Sequence, residues 1–159
     1  MAEAVTVTLA KALKLKNRLA GRVAKLTADI TRDNSSQQGA EVADVPALYA
    51  RRAEAVARLV DLKASISQAN RPIQRDIFLL AEKKAEIALL AGLDTKHGSY
   101  REGYATADTV YVAQLRKADV DSRTTALEAE IDALQDRLDG FNHDTRLAVD
   151  PGVIEAAGD

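Results

Sequence analysis

Few side chains in this 159-residue sequence are placed to do chemistry. His97 and His143 are the two imidazoles. Asp94 stands three residues before the first and Asp144 directly after the second, so each histidine has an oxygen donor nearby. A zinc-type centre needs several His, Cys or carboxylate ligands at recurring spacings, and neither histidine has a second His or a Cys at such a distance. Two surface histidines are the expected outcome, with no metal bound. Ser35-Ser36 lacks the G-x-S-x-G turn that exposes a nucleophilic serine. The HGSYREGY stretch has glycines at 98 and 103, a spacing unsuited to cradling a phosphate. Cysteine is absent, which excludes thiol catalysis, disulfides and thiolate ligands. No catalytic residue, cofactor or metal is therefore expected, and the chain does not read as an enzyme.

What the residues do specify is helix packing. Val120, Thr124, Leu127, Ile131, Leu134, Leu138 and Phe141 step alternately by four and three, the seam of a coiled coil or tight bundle. Gly140 and Asn142 are candidates to end that helix. A first helix is predicted from a cap at Thr8 to about Arg32, with Leu9, Leu13, Leu19, Val23, Leu26 and Ile30 on its apolar face. A second is predicted from Asp44, with Pro46 in its first turn, to about Asn70. Pro72 forces a break, because the residue before a proline resists the α conformation. A third helix follows to Gly92 and, having Phe78, Leu79 and Leu89 beside its seam, is expected to be the most buried. Thr109–Val112 has local β character but is too short to predict a sheet. The loops at Asp33–Pro46 and His97–Ala107 are expected to be the most protease-sensitive segments.

These elements predict an all-α chain of about four long helices, folded as antiparallel hairpins in a coiled-coil-like bundle. One domain is expected over residues 1–150, with 151–159 as a flexible tail. Charged residues make up 29% and aromatics 4%, with three prolines, which suits long helices and argues against a many-turned β fold. The net charge of −2 gives no global attraction to nucleic acid or anionic membrane. No window approaches the ~18 apolar residues of a membrane span, and no secretion signal is read, so a cytoplasmic location is expected. Helices this long leave apolar sides that one chain cannot cover, and a closed homo-oligomer is expected.

Charge is unevenly distributed. Lys11, Lys14, Arg18, Arg22 and Lys25 form a basic stripe expected on the far side of the first helix from its apolar face, and Asp121, Glu128, Asp132, Asp136 and Asp139 an acidic stripe on the last. Residues 1–34 hold seven basic and three acidic side chains, residues 120–147 three and seven. That opposition favours protein–protein pairing over phosphate binding, although two solvated helix faces, worth ~0–1 kcal/mol per pair, are the commonest outcome of such patterns. Lys16, Arg52 and Lys84 each interrupt an apolar seam. They either meet acids such as Asp76 or Glu130 in a buried network or, as expected for at least two of them, lie at seam edges with their heads in water.

Several short motifs resemble the septicolysin-like family of small bacterial helical proteins: Leu9-Ala10-Lys11-Ala12-Leu13, the loop Asn34–Gly39, Ile66-Ser67-Gln68-Ala69-Asn70, Arg75-Asp76, and Asn142-His143-Asp144-Thr145-Arg146-Leu147. His143 stands where that family has tryptophan. The resemblance implies an all-helical, oligomerising protein without established enzyme activity. Asn70, Arg75, Asp76, Asn142, Asp144 and Arg146 carry it while lying off the regular heptads, so a joint is expected in which Asn142–Leu147 docks near the end of the second helix; separate helix caps are the alternative. The expected function is a structural or interaction protein, a scaffold or adaptor, whose partner is itself and potentially another protein. A membrane-active, cytolysin-like role and a small virion component of a bacterial virus are the alternatives.

Overall fold

The computed structural model describes residues 3–101, 103–104 and 107–158. Parts of two expected segments lie outside these residues: Glu102, Ala105 and Thr106 of the second loop, and Asp159 of the tail. The chain is mostly helical, and where one domain is expected it divides into two compact units. The first contains Met1–Pro72 and Asp139–Asp159, the second Ile73–Leu138.

In the first unit, strand β1 (Val5–Thr8) leads directly into helix α1 (Leu9–Asp33). Thr8 ends the extended segment and caps the helix, its Oγ1 accepting from the Lys11 N–H at 3.0 Å. The loop to α2 (Val45–Ala69) turns at Gly39, whose φ of +87° is strained for any side chain. Asp44 caps α2 by accepting from the Ala47 N–H at 3.0 Å, as its type and the following Pro46 predict. The two helices pack antiparallel over Leu9, Ala12, Leu15 and Leu19 on one side and Ala55, Leu59, Leu62 and Ile66 on the other. Each buried leucine contributes about 1.5–3 kcal/mol of transfer free energy, so this seam dominates the unit's stability.

The chain's end completes that core. Strand β4 (Arg146–Val149) pairs antiparallel with β1 in the register Val5↔Val149 to Thr8↔Arg146, and the Leu9 N–H donates to the Thr145 carbonyl at 2.9 Å. The residues expected to form a flexible tail are instead a short helix, α5 (Pro151–Ala156). Val149 and Val153 are buried in the α1–α2 core, which is why the segment is ordered. Asp150 caps α5 through the Gly152 N–H at 2.6 Å. Arg58 of α2 ties the helix down, donating through Nη1 to the Gly152 carbonyl (2.9 Å) and through Nη2 to Glu54 (2.5 Å).

Pro72 breaks the helix as expected, but through a 3-10 turn (Arg71–Ile73) before α3 (Gln74–Ala91). In the second unit α3 runs against α4 (Lys117–Asp144), whose last turn belongs to the first unit. Between them lies a short antiparallel hairpin of β2 (Gly98–Tyr100) and β3 (Thr109–Tyr111), so the all-α expectation holds for the bulk of the chain and fails at these two small sheets. Gly140 and Asn142 do not end α4, which continues to Asp144. Asp76 meets Arg137 at 3.5 Å, Lys83 meets Glu130, and Leu90 packs with Val120 and Leu127. The two ion pairs stand seven residues apart on each helix and run in opposite directions, so α3 and α4 are antiparallel.

Candidate interaction surface

The basic stripe of α1 is solvent-facing throughout: Lys11, Lys14, Arg18, Arg22 and Lys25 are all exposed. It flanks the buried face rather than opposing it, and its C-terminal end borders α2. There Arg22 and Lys25 of α1 and Arg51 of α2 surround an open groove of about 530 Å³ with an apolar floor of Leu26, Leu48 and Ala157. Asp29 also lines it but is held by Arg32 at 3.0 Å. Among the described residues Arg22, Lys25 and Arg51 have no ion-pair partner. Three guanidinium and ammonium groups at the rim of an apolar trough can hold carboxylates while the trough takes small apolar side chains. Sequence spacing identifies the α1 cations; Arg51 and the floor join them only through the helix crossing.

The acidic stripe of α4 is equally open. Asp121, Glu128, Asp132, Asp136 and Asp139 are exposed, with Asp121 pairing with Lys117. Beside Asp132 and Asp136, on the side of the helix facing away from its heptad seam, lie exposed Ala129 and Gly140, while exposed Ala133 borders α3 near Leu79 and Lys83. A Cβ built on Gly140 would find nothing within 4 Å. The outer surface of α4 is therefore acidic and low in relief.

α3 overturns the expectation that it is the most buried helix. Leu90 is its buried residue among those described, whereas Phe78 and Leu89 are each 63% exposed. A helix packed against one partner buries one stripe, and on a 100° wheel Phe78, Ala85 and Leu89 fall about 100–160° round from Lys83 and Leu90. The charged interruptions of the seams also resolve individually. Arg52 is half-buried and donates from Nε to the Thr27 hydroxyl at 2.7 Å, linking α2 to α1. Lys16 is half-buried and Lys84 exposed. Glu130 takes Lys83, not Lys84, and Asp76 takes Arg137. Opposite charges at matching seven-residue steps were the available sequence signal for both pairs.

The six residues expected at a joint have the following places. Asn70 caps the C-terminus of α2, its N–H donating to the Ile66 carbonyl at 3.0 Å. Arg75 is exposed at the start of α3, and Asp76 pairs with Arg137. Asn142 and Asp144 lie in the last turn of α4, and Arg146 donates to the His143 carbonyl at 2.7 Å. The stretch after Asp144 leaves by pairing with β1 and lies against α1 and α2.

Neither histidine stands in a ligand cluster: among the described residues no three His, Asp, Glu or Cys side chains gather around one point. His97 Nδ1 accepts from the Ala113 N–H at 3.3 Å, and its carbonyl accepts from the Tyr100 hydroxyl at 3.2 Å. Lys96 Nζ sits 4.4 Å from the Tyr111 ring centre and 5.2 Å from that of Tyr100, bracing the hairpin by cation–π attraction. At the end of α1 Arg32 is held between Asp33 and Asp29, raising its pKa. Its hydrogen bond to Asp33 is the main reason that this carboxyl titrates below the usual range. No described helix is long and apolar enough to cross a membrane. Comparison of the chain with family models, with curated proteins and with solved structures finds no match.

Proposed function

We propose that this chain is a non-catalytic scaffold or adaptor that works by assembling with copies of itself through its heptad-patterned helices. The observation that carries the reading is the uncovered apolar stripe on α3, where Phe78 and Leu89 are 63% exposed beside Ala81 and Ala85. Leaving two large side chains this exposed forgoes about 1–2 kcal/mol apiece, and exposed apolar stripes of this kind mark protein contacts. The opposed charge of the α1 and α4 faces supports it, because complementary patches steer and orient association. The resemblance of the short motifs to septicolysin-like proteins favours the same reading.

Sedimentation velocity across the micromolar range tests it. The expected result is a concentration-dependent assembly, shifted towards single chains by Phe78→Glu or Leu89→Glu with helix content unchanged. A single-chain species at every concentration for the unmodified protein rejects the proposal.

A further inference from the structure

We propose that the groove bounded by Arg22, Lys25 and Arg51 is the seat for the acidic outer face of α4 from a second copy of this chain. The inference rests on the self-assembly reading and adds which surfaces meet. The groove carries three cations without an ion-pair partner among the described residues, around a floor of Leu26, Leu48 and Ala157. A ligand for it must bring several carboxylates on one ridge and small apolar groups beside them. The outer face of α4 has that form: Glu128, Asp132 and Asp136 lie in one row, with Ala129 and Gly140 next to them, all exposed.

The spacing agrees as well as the sign. Glu128, Asp132 and Asp136 are four residues apart, and the groove's Arg22 ends a row of the same spacing whose Lys14 and Arg18 lie along α1 outside the groove. Each step rises about 6 Å along its helix, so two such rows stay in phase over successive turns. The small residues let the helix axes approach closely, which shortens every carboxylate–cation distance and keeps the contact from being a single screened pair. Lys25 and Arg51 add charge at the end of the row, on two different helices. A free anion would use the cations alone and leave the match to α4 without a role.

A charge-swap experiment decides it. One variant carries Arg22→Glu, Lys25→Glu and Arg51→Glu; the other carries Glu128→Lys, Asp132→Lys and Asp136→Lys. All six positions are exposed, so both variants should keep the helical circular dichroism of the parent; if either does not, Gln replaces the reversing residue. The parent should assemble, with its apparent Kd raised at least tenfold by 0.5 M sodium chloride. Each variant alone should associate at least tenfold more weakly than the parent, and an equimolar mixture should recover most of the loss, since each then offers the face that the other needs. With Gln variants the weakening alone is read, against Lys63→Gln as a remote control. Assembly by the parent that neither variant weakens, or a mixture of reversed variants that recovers nothing, overturns this inference and leaves self-assembly standing. A parent that never associates removes both.

Discussion

Replacing Gly152 with alanine should destabilise the protein, although alanine is the better helix former. A Cβ at this position in the first turn of α5 would lie 2.9 Å from Arg58 Cζ and 2.9 Å from Asp150 Oδ1. Real side chains do not sit so close, so one neighbour must swing away. If Arg58 moves, its hydrogen bond to the Gly152 carbonyl is lost, a charge-assisted bond in a partly buried place worth about 1.5–3 kcal/mol. If Asp150 moves instead, the α5 cap is lost, worth about 1 kcal/mol. Against either stands the gain from glycine to alanine, up to about 1 kcal/mol. The net loss falls on the order of 1–2 kcal/mol if Arg58 yields and near zero if only the cap does. Arg58 is the expected mover, because two of the three close contacts are with its guanidinium. The assay is urea unfolding of Gly152→Ala, with and without Arg58→Ala, read as the midpoint at constant m. The substitution should cost at least about 0.5 kcal/mol less once Arg58 is gone. A Gly152→Ala protein as stable as the parent, or an equal cost in both backgrounds, would refute the displacement of Arg58.

Leu19→Ala, at a fully buried position, should cost about 2–5 kcal/mol in the same assay, and a loss under about 1 kcal/mol would remove Leu19 from the core. The Lys83–Glu130 pair should show a coupling of about 0–1 kcal/mol in a double-alanine cycle, since Glu130 is largely exposed; coupling well above that would make the pair a main determinant of the hairpin. Asp33 should titrate below the ordinary carboxylate value of about 3.9, by carboxyl carbon chemical shift, and return to it in Arg32→Gln. With its folded pKa depressed, the contribution of Asp33 is present above that ordinary value and is lost as pH falls through the lowered one. An Asp33 midpoint indifferent to Arg32 would reject the assignment. Limited proteolysis should cut between Asp33 and Pro46 before any site within α4, where a first cut would contradict the packing of α4 against α3.

Local rules made much of this fold legible in advance. Thr8 and Asp44 begin helices because their side chains satisfy free N–H groups within the next turn, and Pro72 ends one because its ring obstructs the chain behind it. Seams such as Val120–Leu127–Leu134 repeat at the helical period and needed no partner to be recognised. The basic and acidic stripes were readable for the same reason. The rest depends on where distant segments meet. Val5–Thr8 is too short to declare itself a strand and becomes one by pairing with Arg146–Val149, more than a hundred residues away. The final residues have the composition of a loose end, yet Val153 fits the space left by α1 and α2, and that burial orders α5. Phe78 and Leu89 carry the same apolar signal as Leu90, and only the choice of which stripe faces α4 decides that Leu90 is covered and the other two are not. Arg51 joins Arg22 and Lys25 only because two helices cross there. Periodicity within one helix is written in the sequence; the partner that each face meets is set by packing.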